Sequence, residues 1–208
     1  MFKLENVKFK DILEIENLEI EDNLITAILG PSGGGKTTIL KLLNNMISAD
    51  SGKIYYQGKE IEEYNPIKLR RKVVMLPQDP ELFKGNIKDN FRITEEITSS
   101  ELSDEEAYEN LLKKVSLPKS LSDNAADLSG GEKQRLALAR VMLLEPDTLL
   151  LDEPSSSLDL QTEEKIINMV VKYAKDNCRT MVMVTHNPNI AEEFADRIIN
   201  IEEGKVAE

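Results

Sequence analysis

Short apolar runs alternate with longer stretches of helical periodicity along most of this chain. The strand-length runs are NLITAILG at 23–30, VVML at 73–76, TLLL at 148–151, TMVMVT at 180–185 and RIINI at 197–201. Amphipathic stretches such as LQTEEKIINMVVKYA lie between them. Strands that alternate with helices predict an α/β fold whose mainly parallel sheet is covered by helices on both faces.

Two parts of the chain depart from this alternation. The segment VKFKDILEIENLEI at 7–20 and the hairpin-like SGKIYYQGKEI at 51–61 predict an antiparallel β subdomain at the amino terminus. Residues 79–144 lack strand signals and include a predicted helix at 103–115, with Ser103 as its capping residue. We therefore predict an α/β core formed by residues 1–78 and 145–208, interrupted by a helical subdomain of residues 79–144.

Composition narrows the class of protein. The chain has 208 residues, 40% of them hydrophobic, and no apolar window approaches the roughly 18 residues that a membrane-spanning helix needs. The amino terminus lacks the apolar segment of a signal peptide, and the single cysteine, Cys178, allows no internal disulfide, so we expect a cytoplasmic protein. A net charge of −12 disfavours nucleic acid as a partner.

A glycine-rich loop follows the first apolar run and precedes an amphipathic helix. GPSGGGKT fits the pattern G-x-x-x-x-G-K-[ST], in which backbone N–H groups and a helix start bind phosphate oxygens. We expect Lys36 to bind the β- and γ-phosphates of a nucleotide and the Thr37 hydroxyl to ligate Mg²⁺. The predicted phosphate-binding residues are Gly30, Pro31, Ser32, Gly33, Gly34, Gly35, Lys36, Thr37 and Thr38.

Polar residues follow two later strands of the predicted sheet. Asp152 and Glu153 end TLLLDE, where one carboxylate reaches the magnesium ion and the second accepts a proton from the attacking water. His186, the only histidine, follows TMVMVT. The carboxyl ends of strands are where open α/β sheets bind ligands, which favours a functional role for His186 over a structural one.

A second glycine motif, LSGGEKQR at 128–135, accompanies the glycine loop. Together these residues resemble the nucleotide-binding subunit of ABC ATPases, a family of P-loop NTPases, over nearly the whole chain. The resemblance implies that two copies pack head to tail, so that each ATP lies between the glycine loop of one copy and the signature of the other. Ser129, Gly130 and Gly131 would then approach the γ-phosphate from the side opposite the loop.

The resemblance also implies roles for residues outside the two glycine motifs. Gln78 matches a glutamine that contacts Mg²⁺ or the water, His186 matches a histidine that contacts the γ-phosphate, and SSSLD at 155–159 is similar to the loop that crosses the dimer interface. An alternative interpretation of Asp159 is that it caps the helix that follows and has no role in the dimer interface. The family's adenine-stacking aromatic has one candidate here, Phe9, which is equally well explained as a core residue of a strand.

These matches predict an ATPase that closes as a homodimer on ATP and Mg²⁺, with Glu153, His186, Lys36 and Gln78 as catalytic residues. The chain also resembles small bacterial ATPases of the FetA type, which are linked to metal export. This resemblance implies a separate membrane permease and a location at the inner face of the cell membrane. The permease would dock in the groove formed by the segment that follows Gln78 in the sequence. There, Leu82, Phe83 and Phe91 either contact the permease or belong to the core of the helical subdomain. The alternative function is a soluble ATPase of iron–sulfur cluster assembly; a repair ATPase would need a long coiled coil between the glycine motifs.

Overall fold

The computed structural model describes residues 1–99, 101–154 and 160–207. Its strands are Phe2–Phe9 (β1), Leu13–Ile20 (β2), Ile25–Leu29 (β3), Ser51–Tyr56 (β4), Lys59–Glu60 (β5), Val73–Leu76 (β6), Thr148–Asp152 (β7), Thr180–Val184 (β8), Arg197–Glu202 (β9) and Lys205–Ala207 (β10). Its α-helices are Lys36–Leu43 (α1), Pro66–Lys72 (α2), Ile87–Thr98 (α3), Glu105–Lys114 (α4), Gly130–Leu143 (α5), Leu160–Asp176 (α6) and Pro188–Phe194 (α7). Short 3-10 turns cover Ile61–Glu63 and Ala125–Asp127.

A six-stranded sheet forms the centre of the molecule. Its strand order is β10-β9-β3-β8-β7-β6, and every neighbouring pair is parallel except the edge pair of β9 and β10. The strand order places β6, β7 and β8 side by side although long helical segments separate them in the chain. The predicted mainly parallel sheet is confirmed.

The strands are apolar on both faces because each face packs against a different core. In β7, Leu149 and Leu151 belong to a core shared with α3, α4, α5 and α6, whereas Leu150 belongs to a core shared with α1 and the amino-terminal sheet. In β8, Met183 and Val184 divide between the two cores in the same way. Burial on both sides explains why these strands read as continuous apolar runs.

The amino-terminal strands form an antiparallel sheet in the order β2-β1-β4-β5, as predicted. Their alternating apolar residues, among them Leu4, Ile15 and Ile54, face the core shared with α1. The turn between β1 and β2 lies against the central sheet, since Glu14 N–H donates a 2.9 Å hydrogen bond to the carbonyl of Gly204. This sheet therefore packs beside the residues at which α1 begins.

Helices α3, α4 and α5 lie between β6 and β7 in the sequence and pack against one another. The described residues 79–99 and 101–144 contain no strand. Phe91 and Tyr108 stack at their centre, with ring centroids 4.8 Å apart. Phe91 is fully buried, so it belongs to the core of this subdomain and is not available to a docking partner. The core interpretation of Phe91 holds and the docking interpretation is wrong.

The predicted cap of α4 is displaced by one residue. Asp104, not Ser103, caps the helix by accepting a hydrogen bond of 2.9 Å from the Ala107 N–H. Ser103 instead donates its hydroxyl to the buried carboxylate of Glu95, at 2.6 Å, and Tyr108 OH donates to the same carboxylate. A buried carboxylate requires such donors, and this need overrides the local preference at Ser103.

Candidate nucleotide site

The glycine-rich loop joins β3 to α1 and is shaped by close backbone contacts. A Cβ on Gly30 would lie 2.1 Å from the carbonyl oxygen of Ile201, and a Cβ on Gly35 would lie 2.5 Å from Cδ2 of Leu13. Gly35 also has a φ of +92°, in the left-handed region that favours glycine. The loop is thus confined between β9 and the β1–β2 turn, with its chain turning directly into α1.

Lys36, the first residue of α1, folds back over the loop that precedes it. Its Nζ donates hydrogen bonds of 2.9 Å and 2.8 Å to the carbonyls of Gly30 and Pro31. Burial lowers the pKa of the Lys36 ammonium, against the opposing effect of Glu153 and Asp152. The Lys36 ammonium forms no salt bridge with any described residue and donates to backbone carbonyls, so this buried positive charge favours an anion in the loop.

Thr37 and Asp152 bring two oxygen atoms together at the edge of the loop. The Thr37 hydroxyl donates a 3.0 Å hydrogen bond to Oδ1 of Asp152, at the end of β7. Burial raises the pKa of the Asp152 carboxyl, and the hydrogen bond from Thr37 opposes that shift. A buried carboxylate beside a hydroxyl is the kind of oxygen pair that Mg²⁺ binds together with substrate phosphates.

Glu153 meets side chains from the two strands next to its own. Gln78, after β6, donates a 2.9 Å hydrogen bond from Nε2 to Oε2 of Glu153, and the imidazole Nε2 of His186, after β8, contacts Oε1. The backbone N–H of Glu153 donates to the Val184 carbonyl at 3.1 Å. Glu153 has a φ of +47°, uncommon for a residue with a side chain, and such strain is concentrated at functional sites.

The carboxyl edge of the sheet therefore collects most of the residues that the sequence singled out. Lys36 and Thr37 follow β3, His186 follows β8, Asp152 and Glu153 end β7, and Gln78 follows β6, in the spatial order of these strands. The buried Thr185 is adjacent to His186, and Thr185 Oγ1 accepts the N–H of Asn187 at 3.1 Å. A glycine-rich loop with a buried ammonium, a hydroxyl–carboxylate pair and a hydrogen-bonded carboxylate lie along one edge, which is the kind of arrangement that phosphoryl transfer requires.

The second glycine motif starts α5. Ser129 is the cap of this helix: its hydroxyl accepts from the Glu132 N–H at 3.4 Å, and its own N–H donates to Oε2 of Glu132 at 2.9 Å. Ser129 and Gly130 are exposed, and a Cβ on Gly130 would meet no atom within 4 Å. In the described part of the chain, the Ser129 side chain forms hydrogen bonds only with Glu132, within this cap, and none with the glycine-rich loop of its own chain.

Arg140 and Asn90 are site-supporting residues that sequence reasoning missed. Arg140 donates to the Glu81 carbonyl at 2.9 Å and stacks over the Phe83 ring at 4.4 Å, while Asn90 exchanges hydrogen bonds of 2.9 Å and 3.0 Å with the Phe83 backbone. Burial lowers the pKa of Arg140 to about 10. The segment after Gln78 is thus fastened to α3 and α5, and nothing in its sequence signals these contacts.

Comparison with known proteins identifies the chain. A family model described as ABC transporter matches residues 13–156. The chain belongs to the ABC transporter family. It is 38% identical over 198 residues to ABC transporter I family member 17 of Arabidopsis thaliana, covering 95% of this chain and 75% of that protein. It is 36% identical to the putative ABC transporter ATP-binding protein YjkB of Bacillus subtilis, covering 95% and 78%.

Solved cassettes have the same fold. The chain superposes on the dimeric post-hydrolysis structure of the ATP-binding cassette MJ0796 with ADP and Pi, with a TM-score of 0.88, 28% identity, and coverage of 100% of this chain and 97% of the other. The predicted fold class, a P-loop NTPase with an antiparallel β subdomain and an inserted helical subdomain, is confirmed. This chain is therefore an ABC-type ATPase, a member of a family of ATP-binding transporter subunits.

The expectations for Phe9 and for the loop at 155–159 stay predictions, as do the roles assigned to the other site residues. Phe9 is half-buried in β1 opposite Leu13, packs on the core and has the Lys10 ammonium 5.1 Å from its ring centroid. These contacts are compatible with a core residue and leave the adenine contact as a prediction. The loop at 155–159, including Asp159, lies outside the described residues.

Proposed function

We propose that this cassette powers a transporter whose membrane-spanning subunit is a separate chain, and that it works at the cytoplasmic face of the cell membrane. The relatives carry names of transporter ATP-binding proteins, which favours transport over iron–sulfur cluster assembly. None of the helices in the described ranges has the length and apolarity to cross a bilayer. In this proposal, the separate membrane subunit receives its energy from the ATP-dependent closure of two cassettes.

The observation that carries the proposed closure of two cassettes around ATP is the exposed Gly130 at the start of α5. Gly130 has no positive φ, and no neighbour would obstruct a Cβ there, so neither its backbone nor its own chain requires glycine. Glycine in a helix costs about 1 kcal/mol relative to alanine. Close approach of a group from outside the chain accounts for it, and the γ-phosphate held by a second copy is such a group.

Each copy would then supply half of two sites. One copy binds the nucleotide phosphates with the loop residues 30–38, and the other adds the Ser129 hydroxyl and the N–H groups of Gly130 and Gly131. Thr37, Asp152 and Gln78 would hold Mg²⁺, whose charge offsets that of the phosphate oxygens when it is bound. The Thr37 and Asp152 oxygens, 3.0 Å apart, fit such a cation, and Gln78 follows β6, the strand next to β7.

Hydrolysis would use the carboxylate of Glu153. The carboxylate accepts a proton from water as the water oxygen forms a bond to the γ-phosphorus, and the bond to the ADP oxygen breaks with its electron pair. Gln78 and His186 hold this carboxylate at the carboxyl edge of the sheet. Lys36, His186 and the Ser129 of the second copy stabilise the charge on the transferred group.

The membrane subunit would bind beside Gln78. A groove of about 380 Å³ lies between residues 78–84 and the start of α5, lined in part by Leu82, Phe83 and Gln134. Gln134 is buried, and its Nε2 has no hydrogen-bond partner among the described residues. An inserted segment would gain apolar contact from Leu82 and Phe83, and a shift of the Gln134 side chain would let its Nε2 donate to a carbonyl of that segment.

Purification from native membranes tests this function. A tagged chain extracted in mild detergent is expected to retain an integral membrane protein, and Leu82→Asp or Gln134→Ala is expected to reduce the retained amount. Ile198→Asp, an apolar-to-acidic change at an exposed position of β9 on the far side of the sheet from β6, serves as the control. Retention of a soluble scaffold in place of a membrane protein would refute the transport proposal.

A further inference from the structure

The signature half-site contains an acidic side chain that contacts its functional serine. Glu132, in the first turn of α5, accepts hydrogen bonds of 2.9 Å from both the N–H and the hydroxyl of Ser129 through Oε2. The hydroxyl proton that Ser129 would offer to a γ-phosphate is therefore engaged by a carboxylate of its own chain. The phosphate has to compete with Glu132 for this proton.

Charge makes the competition harder. Each copy has a net charge of −12, and the bound triphosphate is also anionic, so closing two copies around it brings like charges together. A carboxylate beside the serine that is to meet the γ-phosphate adds repulsion at close range. An unaccompanied acidic residue at this position would weaken the closed dimer.

Lys119 lies on the other oxygen of the same carboxylate. Its Nζ is 3.1 Å from Oε1 of Glu132, and the two side chains are only 32% and 19% exposed. The pKa of Glu132 is lowered to about 2, first by the Ser129 N–H and next by Lys119. Lys119 belongs to the loop between α4 and α5, where its N–H donates to the Leu117 carbonyl at 2.9 Å. Helix periodicity cannot predict this pair, because its members lie on different elements.

We propose that Lys119 is a positioning residue for the ATP-bound dimer: its charge neutralises Glu132 and loosens the hold of that carboxylate on the Ser129 hydroxyl, which then turns to the γ-phosphate. This inference rests on the proposed role of Ser129 as half of a shared site. The Ser129 N–H continues to hold Glu132 after the hydroxyl turns, so the helix start stays capped. Lys119 acts through Glu132 and need not touch the nucleotide.

The two partners have opposite expected effects on dimer formation. In a Glu153→Gln background, which is expected to accumulate the closed dimer, the ATP concentration at half-dimerisation is measured by sedimentation. Lys119→Ala is expected to raise it about 3- to 10-fold, because the carboxylate is left unneutralised. Glu132→Gln is expected to lower it, since the amide oxygen still caps Ser129 but carries no charge. Combining both changes is expected to restore the value of Glu132→Gln alone.

Matched variants separate charge from structure. Lys119→Arg keeps the charge and is expected to keep the midpoint, and Lys114→Ala removes a charge from the exposed end of α4 and is expected to leave it unchanged. The effect of Lys119→Ala is expected to shrink in high salt. If both Lys119→Ala and Glu132→Gln weaken the dimer, or neither changes the midpoint, the inference is wrong. If the Glu153→Gln background itself stays monomeric with ATP, the proposed shared site fails first.

Discussion

The side-chain amide of Gln78 donates a 2.9 Å hydrogen bond to the carboxylate of Glu153, although 75 positions separate the two residues. Gln78 begins the segment that Arg140 and Asn90 fasten to the helical subdomain, and Glu153 ends the strand at the nucleotide site. A displacement of the helical subdomain would therefore be transmitted directly to Glu153, the carboxylate proposed to accept the proton of the attacking water. Because Gln78 also lines the groove proposed for the membrane subunit, this hydrogen bond links that groove to Glu153.

Replacing Glu153 with glutamine separates binding from hydrolysis. Glu153→Gln keeps the shape and one acceptor oxygen but cannot take a proton, so phosphate release is expected to fall by about 100-fold or more. ATP binding, measured with a fluorescent analogue, is expected to be retained. The exposed Glu193→Gln is the control for a change of charge alone. Normal turnover in Glu153→Gln would remove Glu153 from its assigned role.

Gly130→Ala distinguishes a site between two copies from a purely structural turn. No atom lies within 4 Å of the added Cβ, so the free energy of unfolding is expected to stay equal or rise by up to about 1 kcal/mol. ATP-dependent dimerisation and ATPase activity are nevertheless expected to fall, by about 10-fold or more. Urea unfolding and phosphate release, measured on one preparation, would show whether stability is kept while ATPase activity falls.

Gly30→Ala provides the contrast. Its Cβ would lie 2.1 Å from the backbone carbonyl oxygen of Ile201, which cannot swing away as a side chain does. We expect a loss of roughly 2–4 kcal/mol in the free energy of unfolding together with loss of ATP binding. Gly58→Ala, with a φ of +77° but open space, is expected to cost only about 1 kcal/mol and to retain ATP binding. Equal losses in both variants would contradict the confinement of the loop by β9.

Asp152→Asn is expected to stabilise the nucleotide-free chain while abolishing Mg²⁺-dependent hydrolysis. Burial raises the pKa of Asp152, so the folded chain binds its proton more tightly than the unfolded chain does. Its contribution to stability is therefore present at low pH and is lost as the pH rises above the ordinary value of about 4. Asparagine does not ionise and still accepts from Thr37, which gives a higher free energy of unfolding at pH 7.

The pH dependence checks that explanation. The advantage of Asp152→Asn in urea unfolding is expected to diminish as the pH is lowered toward about 4. Asp11→Asn, at an exposed carboxyl without an ion pair in the described part of the chain, is the control for removing a carboxylate that burial does not affect. An advantage that persisted unchanged at low pH would point to packing and not to the charge of Asp152.

Phe83 and Phe91 are only eight positions apart in the sequence, but replacing them with alanine is expected to have different effects on stability. Phe91 is fully buried against Tyr108, so Phe91→Ala is expected to reduce the free energy of unfolding by about 3–5 kcal/mol. Phe83 lies half-buried beneath Arg140, and Phe83→Ala is expected to cost less stability but to weaken retention of the membrane subunit. Equal thermal unfolding of the two variants would overturn this distinction.

Local sequence determined the elements and the chemical groups of this protein. The glycine spacing at 30–37, the continuous apolar strands and the acidic pair at Asp152 and Glu153 are properties of contiguous residues, governed by backbone freedom, burial and periodicity. The signature at 128–135 was readable for the same reason, and with it the family. These features suffice for the fold class and for an ATP-binding function.

Tertiary structure alone decided which side chains meet. The strand order places Gln78 and His186 on either side of Glu153, because parallel strands distant in the chain become neighbours through their helical crossovers. Likewise, Phe91 became core and Lys119 reached Glu132 only through the packing of α3, α4 and α5. Such contacts depend on how elements pack in three dimensions, which a linear pattern of polar and apolar positions does not encode.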